Sequence, residues 1–115
     1  RALLDAISRA KNAFTDAEQL TREAGSYYEE IIAKAYTHYQ AALRTQNALD
    51  FDDLIMLTVK LFQEHPPVLK RYQDIFRYIL VDEYQDTNYP QYLLVHLLAK
   101  QHHNLCVIRD DYQSI

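Results

Sequence analysis

A short apolar run that ends in two adjacent carboxylates is the part of this sequence with the clearest chemical potential. Ile79–Val81 is continuously apolar, Asp82 and Glu83 follow it directly, and Gln85 and Asp86 come next. Phosphoryl transfer needs one carboxylate that holds the magnesium of a bound nucleotide and a second group that orients the attacking water. The pattern therefore predicts a nucleotide-hydrolysing site at the end of a buried strand.

The glycine content limits which part of such a site the chain can supply. Gly25 is the only glycine, whereas a G-x-x-x-x-G-K phosphate loop needs at least two, because its backbone must wrap closely around the phosphates. These residues alone are therefore expected not to hydrolyse ATP, and we expect the chain to be an internal piece of a longer protein.

Composition indicates one globular segment from a reducing compartment. The 115 residues are 49% hydrophobic and 24% charged, with a net charge of -4, which excludes a disordered chain and gives no overall attraction to a polyanion. A single cysteine, Cys106, excludes an internal disulfide framework. No apolar run approaches the roughly 20 residues of a membrane span, and a signal-peptide pattern is missing. We expect a cytoplasmic protein without a membrane partner.

The first part of the chain is predicted to be helical, because apolar residues recur there at helical spacing. Thr15, Ser26 and Asp50 are expected to cap the helices that follow them. A long helix after Ser26 should bury one face, which consists of Tyr28, Ile32, Ala35, Tyr39 and Leu43. A later helix should carry Leu54, Leu57 and Leu61.

Other residues of this part admit a functional or a structural interpretation. Exposed tyrosines could stack on nucleic-acid bases, but helical spacing favours core packing for Tyr27, Tyr28, Tyr36 and Tyr39. The scattered basic residues are expected on a solvated surface: Lys11, Arg22, Lys34 and Arg44. Near the other end, a zinc site at His102, His103 and Cys106 would lack a second ligand pair, so a surface turn and a buried thiol are expected.

The remaining sequence has a strand, helix, strand pattern. Ile79–Val81 and residues 105–108 are continuous apolar runs, typical of strands covered on both faces. Asn88 can cap the intervening helix, which is apolar nearly all round. The spacing predicts a right-handed parallel βαβ unit, and its strands would end at Asp82 and Asp110 on the sheet edge where α/β proteins bind ligands.

Three segments, in this order and spacing, resemble superfamily 1 DNA helicases of the UvrD/Rep/PcrA type: LDFDDLI at 49–55, VDEYQDTN at 81–88 and DDYQSI at 110–115. The resemblance covers essentially the whole chain. It implies an α/β fold class, with a mostly helical fragment and a parallel βαβ unit. Residues 1–47 would form a helical insertion, and residues 48–115 would form the second half of a RecA-like P-loop NTPase motor domain.

The resemblance also implies residue roles. Asp82 corresponds to the carboxylate that holds Mg²⁺, Glu83 to the residue that orients and deprotonates the hydrolytic water, and Gln113 to the glutamine that contacts the terminal phosphate of ATP. Gln85 and Asp86 complete the motif and help connect the nucleotide pocket to DNA-facing elements. The structural alternative is that the acids only cap the next helix.

The implied parent is an ATP-dependent DNA helicase that uses ATP and Mg²⁺ and translocates 3′ to 5′ on single-stranded DNA, unwinding duplex DNA in repair or replication. Its partners would include the remaining helicase domains, and open strand edges could pair with another copy of the chain. Arg109 and Tyr112 replace a glycine and an aspartate usual in the family. They leave open an alternative, a non-catalytic helical interaction module on a decayed helicase core.

Overall fold

A computed structural model describes residues 1–109. Their secondary structure consists of α1 (Ala2–Asn12), α2 (Ala17–Glu23), α3 (Tyr27–Thr45), α4 (Phe51–Glu64), α5 (Pro66–Ile75), β1 (Ile79–Val81), a 3-10 turn (Tyr84–Asp86), α6 (Tyr89–Ala99) and β2 (Leu105–Val107). This part of the chain is mostly helical, as predicted. No helix within it combines the length and the apolar character needed to cross a bilayer.

The contacts divide the chain into two compact units, residues 1–56 and a second unit that begins at Leu57. The division falls inside α4, whereas the sequence predicted a domain boundary between residues 47 and 48. The assignment of these parts to a helical insertion and a motor domain stays a prediction.

Side-chain caps begin α2 and α3 in the first unit. Ser26 caps α3 as predicted, because its hydroxyl accepts a hydrogen bond from the N–H of Glu29 at 3.1 Å. The predicted cap at Thr15 was wrong, since Asp16 caps α2. Thr15 is still bound to the end of α1, where its N–H donates to the Ala10 carbonyl at 2.9 Å.

The buried face of α3 is centred on Ala33 and Tyr36, which are 2% and 1% exposed. The Tyr36 hydroxyl donates to the Thr15 carbonyl at 2.9 Å, and burial with nearby carboxylates raises the pKa of Tyr36 to about 12. Core packing is thus confirmed for Tyr36. It was wrong for Tyr27 and Tyr28, which are exposed; Tyr28 lies about 140° around the helix from Ala33.

A buried charge cluster surrounds Lys11, which was predicted to be solvated. The Lys11 ammonium is 0% exposed and lies 2.6 Å from Asp50 Oδ2 and 3.0 Å from Asp53 Oδ1. It also lies 5.0 Å from the centroid of the Tyr39 ring. The prediction was wrong because the carboxylates that compensate this charge lie far along the chain and cannot be paired with Lys11 from local pattern.

The same two carboxylates form the start of α4. Asp50 Oδ1 accepts from the N–H of Asp53 at 2.8 Å, which confirms the predicted cap, and Asp53 Oδ2 accepts from the N–H of Asp50 at 3.3 Å. Burial alone would raise the pKa of Asp50. Hydrogen bonds from Lys11, from the Asp53 backbone and from Tyr39 outweigh it and hold this pKa below its usual value.

Acid should weaken the Lys11 cluster. Because the folded-state pKa of Asp50 is lowered, its contribution to the free energy of unfolding is present above the unfolded value of 3.8 and is lost as the pH falls through the folded value. We expect the urea midpoints of the wild-type chain and of Asp50→Asn to differ at neutral pH and to converge only as the pH falls below 3.8, through the folded pKa of Asp50. A difference that stayed constant throughout acid titration would contradict this role of Asp50.

Helix α4 buries a different stripe from its predicted leucines. Leu54, Leu57 and Leu61 are 53%, 42% and 42% exposed. The buried stripe consists of Asp53, Met56, Val59 and Phe62. Both stripes have helical spacing, so the periodicity predicted the helix correctly and packing decided which side is covered.

The second unit contains the predicted parallel strand, helix, strand arrangement. β1 and β2 pair in parallel, with Leu80 opposite Cys106. Asn88 caps α6 as expected, and its box is reciprocal: Asn88 Oδ1 accepts from the Gln91 N–H at 3.0 Å, and Gln91 Oε1 accepts from the Asn88 N–H at 3.1 Å. The side chain of Gln73 donates to the Leu97 carbonyl at 2.8 Å and joins α5 to α6.

The strands are less covered than their apolar sequences predict. Leu80 is 64% exposed and Val107 is 45% exposed. Cys106 is exposed too, so the expected burial of its thiol was wrong. The described sheet has only β1 and β2. An apolar run indicates that a strand can be covered on both faces, but the covering elements must come from elsewhere in a fold.

Candidate functional site

The predicted acids lie in the turn directly after β1. Glu83 has φ 53° and ψ 47°, in the left-handed region. A side chain there costs on the order of 1–2 kcal/mol, so surrounding contacts must hold it in place. Asp82 Oδ1 accepts from the Glu83 N–H at 2.8 Å, and the Glu83 carbonyl accepts from the Asp86 N–H at 2.9 Å. The turn is thereby closed on both sides of Glu83.

Backbone hydrogen bonds connect this turn to the end of β2. The Ile108 N–H donates to the Val81 carbonyl at 2.7 Å, and the Tyr84 N–H donates to the Ile108 carbonyl at 3.0 Å. The acids therefore lie at the carboxyl end of the parallel pair, as predicted. This is the edge at which open α/β sheets bind ligands.

Asp82 has the chemistry required of a magnesium ligand. Its side chain is exposed, and within residues 1–109 Oδ2 has no hydrogen-bond partner while Oδ1 is used by the turn. Mg²⁺ typically takes only one or two protein carboxylates and completes its octahedron with water and phosphate oxygens. One available carboxylate oxygen fits such a site.

Glu83 is exposed and its carboxylate contacts Gln85. The side-chain amide of Gln85, through Nε2, donates to Glu83 Oε2. Residues two apart on a regular helix do not face each other. The left-handed turn at Glu83 makes the contact possible, and nothing in the sequence pattern indicated that turn.

The structure thus brings together Asp82, Glu83 and Gln85. Gln113, the fourth predicted site residue, lies outside the described residues, as do Asp110 and Tyr112. Two cavities of the second unit, about 310 Å³ and 270 Å³, are lined by other residues. The acids lie on an open sheet edge instead, so enclosing a nucleotide there would require further protein.

The sequence matches the UvrD/REP helicase N-terminal domain over residues 1–115. It is 51% identical, over all of its length, to ATP-dependent DNA helicase PcrA of Bacillus subtilis (strain 168), and it covers 16% of that protein. Proteins of the same name from Leuconostoc citreum and Staphylococcus aureus (strain Mu50 / ATCC 700699) are each 50% identical over the whole chain, which spans 15% and 16% of them. By this full-length match, the chain belongs to the UvrD/REP helicase family.

Proposed function

We propose that this chain is part of the motor of an ATP-dependent DNA helicase and supplies two acids of its ATP hydrolysis site. The observation that carries the proposal is the Asp82 and Glu83 pair at the carboxyl end of β1, in a parallel β1–α6–β2 unit. The family match and the similarity to ATP-dependent DNA helicases support it.

Each acid would have a separate task in this site. Asp82 would hold Mg²⁺ through Oδ2, and the ion, when bound, supplies charge neutralisation for the phosphates. Glu83 would orient a water in line with the terminal phosphate and accept its proton as the water attacks. Gln113 would contact that phosphate, as the family resemblance implies.

The remainder of the proposal concerns the longer protein. Residues 1–47 would be the helical insertion and residues 48–115 the second half of a RecA-like motor domain, while the phosphate loop would come from another part of the parent. The parent would act in the cytoplasm, translocating 3′ to 5′ on single-stranded DNA and unwinding duplex DNA in repair or replication. A second copy of the chain could pair with the open strand edges, since unpaired edges favour such association.

The second candidate is a non-catalytic interaction module. Arg109 favours it, because a glycine usual in the family permits close approach to a ligand and arginine does not. Tyr112 is the other departure from the family pattern. This candidate predicts a longer protein without ATP turnover.

The isolated 115-residue chain should neither hydrolyse ATP nor bind MgATP measurably, whereas the longer protein should hydrolyse ATP faster when single-stranded DNA is added. The phosphate-cradling backbone and its lysine are missing from the chain. Calorimetric titration and phosphate release would be measured on both proteins. Turnover by the isolated chain would overturn its role as an incomplete motor, and an inactive longer protein would favour the interaction module.

A further inference from the structure

We infer that Gln85 is a positioning residue whose side-chain amide holds the carboxylate of Glu83 in the orientation for water activation. The inference rests on the proposed function of Glu83 as the acceptor of the water's proton. The observation behind it is the hydrogen bond from Gln85 Nε2 to Glu83 Oε2. Gln85 is half-buried whereas Glu83 is exposed, so the more buried side chain restrains the more exposed one.

The backbone around Glu83 is held in place by other contacts. The Asp82 side chain binds the Glu83 N–H at 2.8 Å, and the Asp86 N–H binds the Glu83 carbonyl at 2.9 Å. These bonds fix the direction in which the side chain leaves the chain, but they do not fix its rotamers. The amide of Gln85 restrains the carboxylate itself, before any substrate binds.

The contact uses only one of the carboxylate oxygens. Gln85 binds Oε2, and Glu83 Oε1 has no hydrogen-bond partner within the described part of the chain. A neutral amide orients the carboxylate without placing a positive charge beside it. Oε1 is thereby left to face a water molecule. Gln85 would act through Glu83 and would not itself touch the phosphate.

Two variants of the longer protein separate positioning from packing. Gln85→Ala removes the amide, and misplacement of a catalytic group costs up to about 10²-fold in rate. We expect a fall in kcat of at least about tenfold, with the affinity for a fluorescent MgATP analogue unchanged. Gln85→Glu keeps the shape of the side chain but places a second carboxylate against Glu83. Gln85→Glu should therefore turn over ATP more slowly than Gln85→Ala. If Gln85 only filled space, Gln85→Glu would be the faster of the two.

Gln101→Ala is the matched control. Gln101 also donates its side-chain amide to a carboxylate, Asp74 Oδ1 at 3.3 Å, on an exposed surface. Its loss should leave kcat and nucleotide affinity unchanged. The two Gln85 variants and Gln101→Ala would each be assayed with and without single-stranded DNA.

The outcomes distinguish this inference from the proposed function. If Gln85→Glu turns over ATP faster than Gln85→Ala, or if both variants lose nucleotide affinity, the positioning role is wrong while the helicase assignment stands. If Gln85→Ala loses only the stimulation by DNA and keeps its DNA-free rate, Gln85 serves coupling to DNA and the positioning role is again wrong. Failure of the proposed function itself would appear as normal ATP turnover in Glu83→Gln. That measurement tests the role of Glu83 whatever the role of Gln85.

Discussion

Glu83→Gln should lower the ATP turnover of the longer protein by roughly 10²- to 10⁴-fold, the usual effect of removing a positioned general base. Glutamine keeps the size of the side chain and can still meet the Gln85 amide through its own carbonyl oxygen. It cannot accept a proton from the attacking water. Asp82, the proposed Mg²⁺ ligand, is unchanged, so the affinity for MgATP should stay nearly the same.

Turnover and nucleotide affinity would be measured in one preparation, by phosphate release and by titration with a fluorescent MgATP analogue. Glu64→Gln is the matched control, because Glu64 is an exposed carboxylate at the end of α4. It should retain wild-type turnover. Wild-type turnover in Glu83→Gln would show that another group activates the water. A parallel loss of affinity would show that Glu83 mainly helps bind the nucleotide.

Lys11→Met should destabilise the chain by about 3–5 kcal/mol, because it leaves buried carboxylates without their counter-charge. Lys11 is 0% exposed and contacts both Asp50 and Asp53. Methionine has a similar length and fills the same space, so the cost arises from charge and hydrogen bonding and not from a cavity. The free energy of unfolding would be obtained from urea titrations of the chain at neutral pH.

Lys70→Met is the control for the loss of a lysine. Lys70 pairs with Asp74 at 2.9 Å on an exposed helix surface, where solvent screens the ion pair, so little change in stability is expected. The triple variant Lys11→Met, Asp50→Asn, Asp53→Asn tests the mechanism. It should regain part of the lost stability, because no uncompensated charge remains and asparagine at position 50 still caps α4. A triple variant no more stable than Lys11→Met would contradict charge compensation.

Features whose cause lies within a few residues could be predicted from the sequence. The caps at Ser26, Asp50 and Asn88 each bind an N–H only three residues away. The strand, helix, strand order followed from the changes in hydrophobic period. The acidic pair and its place after β1 are likewise contiguous in the chain. The motifs that indicated the helicase family are read directly as residue types in order.

Features that depend on distant or unusual backbone contacts could not be predicted in this way. The burial of Lys11 depends on carboxylates at the start of α4, and the exposure of the α4 leucines depends on which of two equivalent stripes meets a neighbour. The cap of α2 is Asp16 and not Thr15, because Thr15 remains bound to the end of α1. In each case the local sequence allows more than one arrangement. Hydrogen bonds and packing with other parts of the chain decide which one forms.

The candidate site at Asp82 and Glu83 shows the same difference between local and long-range features. Residue types and order by themselves determined that Asp82 and Glu83 follow a strand and belong to a family motif. Only the tertiary structure decided that Glu83 adopts a left-handed backbone, that Gln85 reaches its carboxylate, and that the turn is bound to the end of β2. The physical reason is that a left-handed residue other than glycine is disfavoured on its own. It persists here because hydrogen bonds from the turn and from the neighbouring strand hold it.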